Sequence, residues 1–316
     1  MRTKRVFATA GVVALSFSLA ACGSSDGGGS GTEGTLDGAE ITVGSKDFDE
    51  QLVLGNITKL VLENAGATVD DQINLGGTDA ARVALTSGDI DTYWEYNGTA
   101  WISFFGETEA IPDRIEQYEA VRDRDLEENQ LVWLQPAEFN NTYALAFPSE
   151  AAEELGHPTS LSDLAALIED DPDAATVCVE NEFSTRDDGL PGMEEAYGYE
   201  FPGDNVTILD TALVYTAADE QDPCNFGEVF TSDGRVASLD LTVLEDDEGF
   251  FPLYNPSPVF REEVYEQYGD ELDAVFDPIS AALTQEEMTM LNQRVSVDLE
   301  QPSDVAEDWL EEQGLL

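Results

Sequence analysis

The chain has 316 residues and sets 13 lysines and arginines against 67 aspartates and glutamates, a formal net charge of −54 at pH 7. A surface of that sign repels phosphate backbones, which excludes nucleic acid as a partner. Hydrophobic residues still make up 42% of the sequence and fall in periodic segments. The acidity therefore reads as a folded protein kept soluble in a salty medium, where counterions screen the repulsion, rather than as disorder.

Met1-Arg2-Thr3-Lys4-Arg5 is a basic start, and Val6 to Ala21 is a short apolar and small-residue run. That order predicts a secretory signal over residues 1–21, too short to span a membrane as a helix. Leu19-Ala20-Ala21-Cys22 and the Gly/Ser-rich stretch through Gly31 resemble a bacterial lipoprotein signal. The resemblance implies a lipid anchor on Cys22, an extracytoplasmic protein held to the membrane, and a flexible tether over residues 22–39.

Ile41-Thr42-Val43 alternates as a strand and runs into Gly44-Ser45-Lys46. Val53, Ile57, Leu60 and Val61 recur at helical spacing, and Gly66 is placed to end that helix. Ala80 to Leu85 predicts a second helix stopping at Gly88, with a strand over Ile90 to Tyr93 after it. Strand and helix in alternation point to βαβ units around a mostly parallel sheet. Thr142 to Phe147 is a further strand ended by Pro148, and Ser160 with Asp163 is placed to cap a helix over Leu164 to Ile168. Ala175 to Val179 reads as a buried strand, while Val236 to Leu244 is largely apolar and partly β-branched. Asn255-Pro256-Ser257-Pro258 reads as a Pro-rich connector. Thr284 with Glu287 forms a capping box ahead of Met288, Leu291 and Val295, and Val305, Trp309 and Leu310 mark a last amphipathic helix.

Asp91 to Thr99 contains Tyr93, Trp94 and Tyr96 within four residues, ahead of a turn at Asn97-Gly98. Ring faces at a strand end can hold an organic cation, and they can equally be ordinary core packing. After residue 21 the basic residues are Lys46, Lys59 and eight arginines, so one placed beside aromatic loops stands out. Cys178 and Cys224 are expected to pair in an oxidising compartment. Neither has a Cys or His at metal-ligand spacing, and the single histidine, His157, sits in a surface loop, so no metal site is expected. Nucleophile elbows, phosphate loops and dinucleotide fingerprints are absent, which argues against an enzyme and against a cofactor.

Gly44-Ser45-Lys46-Asp47-Phe48-Asp49-Glu50-Gln51, Gly76-Gly77-Thr78, Gly88 to Thr99, Phe139 to Ala146, Phe230 to Arg235 and Phe251 to Tyr254 together resemble the substrate-binding proteins of osmoprotectant ABC transporters, the glycine betaine, choline and carnitine group. The resemblance spans about residues 40 to 316. It implies an α/β, two-lobed periplasmic-binding-protein fold of type II, with the ligand in the interlobe cleft. Lobe 1 would hold residues 40–143 and 255–316, and lobe 2 residues 144–254. It implies an aromatic cage of Tyr96, Tyr143, Phe230 and Tyr254 around a quaternary ammonium, with Lys46, Thr99 and Arg186 gripping a carboxylate. Phe230 departs from the Tyr of many relatives. The partners would be a quaternary-ammonium small molecule and an ABC permease with its ATPase. A receptor for another small zwitterion or an amino acid is the alternative within the binding class. A secreted acidic hydrolase with paired carboxylates is the alternative outside it.

Overall fold

A computed structural model describes residues 34–316, so the expected signal over 1–21 and Cys22 lie outside the described residues. Leu36 and Ala39, which the sequence places in the tether, are buried, and the Leu36 N–H donates to the Ala65 carbonyl at 2.7 Å. The packed chain therefore begins before residue 40.

The first run comprises β1 (Glu40–Gly44), α1 (Asp49–Asn64), β2 (Thr68–Gln72), α2 (Thr78–Ser87), β3 (Thr92–Tyr96), a short turn of helix α3 (Asn97–Thr99), α4 (Arg114–Asn129) and β4 (Leu131–Trp133). Apolar spacing sets α1: Val53, Leu54, Ile57 and Val61 are buried, and Gly66 follows its end at φ +100°. Helix α2 stops where Gly88 adopts the left-handed conformation at φ +81°. The strand expected over Ile90 to Tyr93 lies slightly later, because Asp91 turns its carboxylate onto the Thr42 N–H and pairing with β1 begins at Thr92.

The middle of the chain supplies β5 (Tyr143–Pro148), α5 (Asp163–Asp170), β6 (Val177–Val179), α6 (Leu190–Tyr197), β7 (Val206–Ile208), α7 (Thr211–Asp219), β8 (Phe226–Phe230), α8 (Gly234–Ser238) and β9 (Leu241–Val243). At α5 the expected capping runs in reverse: the Asp163 carboxylate accepts from the N–H groups of Thr159 and Ser160. Sulfurs of Cys178 on β6 and Cys224 ahead of β8 are bonded at 2.03 Å. The chain closes with β10 (Pro256–Arg261), α9 (Glu262–Ala282), α10 (Gln285–Ser296) and α11 (Pro302–Gln313). The Thr284 hydroxyl caps α10 on the Glu287 N–H, as the capping box requires.

These strands form two mixed sheets of order β2-β1-β3-β10-β4 and β7-β6-β8-β5-β9. The mostly parallel expectation is corrected in both, since β10 runs antiparallel to β3 and β4, and β5 antiparallel to β8 and β9. The Pro-rich connector is corrected too: Pro256 opens β10 and Pro258 lies within it, in a strand paired on both sides. Proline tolerates that position because residues alternate direction along a strand. The Asn255 carbonyl faces β3, accepting from Asn97, whereas the Pro256 and Pro258 carbonyls accept from Ala137 and Leu134 just beyond β4. The missing prolyl donors thus point toward that irregular segment and cost the β3 ladder nothing.

Each sheet is covered on both faces. Trp94 of β3 and Phe260 of β10 pack with Phe276 of α9 and Trp309 of α11 on one face of the first sheet, and Tyr93 and Val259 pack with Leu85 and Tyr118 on the other. In the second sheet Leu145 and Phe147 face Leu164 and Met193, while Ala144 and Ala146 face Tyr215 of α7.

One buried group ties the two halves together. The Glu50 carboxylate on α1 accepts from the Tyr96 hydroxyl at 2.6 Å, Asn141 Nδ2 at 3.0 Å, the Ser232 hydroxyl at 2.6 Å and Asn292 Nδ2 at 2.8 Å. Burial pushes its pKa up, and the Ser232, Tyr96 and Asn292 donors pull it back. Replacing Glu50 by Ala takes the acceptor from the buried Tyr96 hydroxyl and Asn141 Nδ2, and one of the partners from Ser232 and Asn292. Urea unfolding is expected to lose about 3–5 kcal/mol in that variant.

Candidate functional site

Strand ends, rather than helices, deliver the site. Phe48 precedes α1, Tyr96 ends β3, Tyr143 opens β5, Phe230 ends β8 and Tyr254 precedes β10, and all of them line one cavity of about 490 Å³. The antiparallel register sets Tyr143 directly opposite Phe230, with ring centroids 5.2 Å apart. Phe48 stacks on Phe230 at 5.5 Å and on Tyr96 at 6.2 Å. Tyr254 meets Tyr143 edge-on at 5.4 Å. Phe183 and Phe251 back the Tyr143 ring at 5.0 and 6.1 Å.

Two of the phenols are tied to buried carboxylates. Tyr96 donates to Glu50, and Tyr254 donates to Asp188 at 2.8 Å. Burial raises the pKa of Tyr96, Tyr143 and Tyr254 well above the ordinary phenol value, so each stays neutral. Gly98 permits the close approach of this layer, because a Cβ there would stand 2.9 Å from the Leu253 carbonyl and 3.0 Å from the Tyr254 ring.

Every sequence-predicted site residue, Lys46, Tyr96, Thr99, Tyr143, Arg186, Phe230 and Tyr254, lines this cavity. The cations are already engaged. Lys46 Nζ sits 2.6 Å from Glu95, donates to Thr78 at 3.0 Å and stands 5.1 Å from the Tyr96 ring centre. Arg186 grips Asp188 through two nitrogens at 2.7 and 2.6 Å and reaches the Thr99 hydroxyl at 3.3 Å. Arg235, a third cation on the cavity wall, is held by Asp233. Asp47, Asp49, Glu180, Glu182 and Asp210 add carboxylates to the lining.

A cavity walled by ring faces and closed by two sheets suits a small organic ligand. Residues 39–312 match the family described as the substrate-binding domain of the ABC-type glycine betaine transport system. The chain belongs to this family. It is 39% identical over 281 residues to the glycine-betaine-binding protein of Pseudomonas aeruginosa, covering 87% of this chain and 88% of that one. It is 36% identical to the glycine betaine-binding protein YehZ of Escherichia coli, over 87% of this chain and 90% of that one. The apo structure of the E. coli protein superposes with a TM-score of 0.64 at 35% identity, across 88% of this chain and 99% of that one. A crystal structure described as a glycine betaine/carnitine/choline ABC transporter gives a TM-score of 0.69 at 25% identity, across 87% of this chain and 98% of that one. The fold is thus that of the two-lobed periplasmic binding proteins, and the chain is an extracytoplasmic substrate-binding protein of an ABC transporter rather than an enzyme. Among the described residues no helix is long and apolar enough to cross a membrane.

Reading the sequence alone missed two side chains. Phe48 forms the floor between Tyr96 and Phe230, and its signal was its place between Lys46 and Glu50 in the first loop. Glu182 carries no sequence signal in so acidic a chain, yet its carboxylate accepts the Thr78 N–H at 2.7 Å across the cleft.

Behind the cavity, Glu228 on β8 is buried, and its Oε1 has no partner among the described residues. Burial, reinforced by the neighbouring Glu180 charge, pushes its pKa up to about 8. The folded protein therefore holds a proton that the unfolded chain releases near the ordinary value of 4.5. Stability contributed at this position is full at low pH and is lost as pH rises between those values. Replacing Glu228 by Gln should remove that slope. Thermal melts are expected to show a gain over the unmodified protein that is larger at pH 8 than at pH 5.

Proposed function

We propose that this protein captures a quaternary-ammonium osmoprotectant, glycine betaine foremost and choline, carnitine and proline betaine in the same class, and delivers it to an ABC permease and its ATPase. The observation that carries the reading is the convergence of the ring faces of Phe48, Tyr96, Tyr143, Phe230 and Tyr254 on one cavity, with the Tyr96 and Tyr254 hydroxyls bonded elsewhere. A quaternary ammonium donates no classical N–H bond, so a desolvated aromatic cage is the surface that holds it, at about 2 kcal/mol or more. Lys46, Thr99 and Arg186 are the donors for a carboxylate at the other end. The names of the P. aeruginosa and E. coli relatives, both glycine-betaine binders, support the ligand class.

In this reading residues 40–143 and 255–316 form lobe 1, residues 144–254 form lobe 2, and closure about the two crossings encloses the ligand. Lipidation of Cys22 would keep the receptor beside its permease.

Calorimetric titration of the mature domain with glycine betaine, choline, carnitine and proline betaine tests the reading. Saturable binding of at least one is expected, and absence of binding to all four sinks it. Tyr143→Ala should weaken binding by about thirtyfold, the equivalent of the cation–π contribution, while the melting cooperativity stays intact.

A further inference from the structure

Glu182 sets a carboxylate beside Arg186, one of the donors proposed for the carboxylate of a zwitterion. Glu182 leaves a loop of the second sheet, crosses the cavity and accepts the Thr78 N–H at 2.7 Å at the first residue of α2. Its other oxygen stands 3.5 Å from the Arg186 guanidinium. Gly77 makes the seat possible, since a Cβ at that position would lie 2.2 Å from the Glu182 oxygen. Glu182 is itself held by its own N–H, which donates to Glu180 at 2.8 Å.

Each cation on the cavity wall has a carboxylate partner besides Glu182. Lys46 is paired with Glu95, Arg186 is bidentate on Asp188, and Arg235 is paired with Asp233. Glu182, which meets only an Arg186 already bidentate on Asp188, therefore adds its charge to those of Asp47, Asp49, Glu180 and Asp210 in a cavity walled by low-dielectric rings. An incoming carboxylate would meet it next to Arg186 and would have to repel or displace it. A cation without a carboxylate would leave it in place and gain its field.

We propose that Glu182 is a specificity-determining residue, a tethered carboxylate at the Arg186 end of the cavity whose charge narrows the preference for glycine betaine over a cation without a carboxylate such as choline. The inference rests on the quaternary-ammonium reading above.

The variant Glu182→Gln keeps an acceptor for the Thr78 N–H and removes the charge. Calorimetry with glycine betaine and choline on both proteins reads the ratio of the two dissociation constants. The variant is expected to tighten betaine and weaken choline, shifting the ratio by about tenfold. Equal weakening of both ligands would make Glu182 a latch between the lobes without discrimination and would overturn the inference. An unchanged ratio, with both ligands bound as before, overturns it as well. If the unmodified protein binds neither ligand, the quaternary-ammonium reading itself falls, and this inference with it.

Discussion

A single buried carboxylate organises the junction on which both sheets and the cavity depend. Glu50 stands at the start of α1, and its donors come from the end of β3, from the segment before β5, from the turn after β8 and from α10. Removing a carboxylate from water is costly, and only a full complement of donors offsets that cost. The geometry is correspondingly exacting: if the elements shift, donors are lost from a site that solvent cannot reach. Tyr96 is one of those donors and also a wall of the cavity, so the orientation of a ligand-facing ring is set by the same group that fixes the junction. Asn141, a neighbour of Tyr143, couples the second wall in the same manner.

The second constraint is electrostatic. In a chain with 67 acidic residues, a cation beside the cavity does not stay unpaired, and Lys46, Arg186 and Arg235 each carry a dedicated carboxylate. Such pairing holds the cationic side chains in fixed geometry before any ligand arrives. It also means that counting basic residues overstates how much positive potential the cavity offers. The neutral rings and the distribution of surplus carboxylates define the cavity at least as strongly as the cations do.

Much of this architecture is legible in the residues. Helices α1, α2, α10 and α11 follow from apolar spacing and from Gly66, Gly88 and Thr284 at their ends. The cavity residues Lys46, Tyr96, Thr99, Tyr143 and Tyr254 were reached through the resemblance of the short segments that carry them to those of the osmoprotectant-binding family. What escaped depends on partners distant in sequence. Two prolines in four residues read locally as a connector, and only the direction in which their neighbours' carbonyls point explains a strand there. Glu182 and Glu228 were invisible for another reason: acidic residues are so common that composition hides the few that are buried or that reach across the cavity. Phe48 lies in the first loop between Lys46 and Glu50, yet its stacking on Phe230 depends on which strand ends meet.

The return of β10 into the first sheet also has a kinetic consequence. It pairs with β3 on one side and β4 on the other, joining Pro256 to Tyr96 and Arg261 to Leu131. Neither β1 to β3 nor β4 can complete that sheet alone, because the strand that separates them is synthesised after the whole of the second sheet. The intervening chain must collapse or be passed over before the gap is filled, and contacts of such long sequence separation slow folding. Until β10 arrives, β3 and β4 each present an unpaired edge in a chain where the aromatic residues lie beside those edges. The dense negative charge opposes the association of such half-built molecules, a protection over the interval before the first sheet closes that added salt would screen.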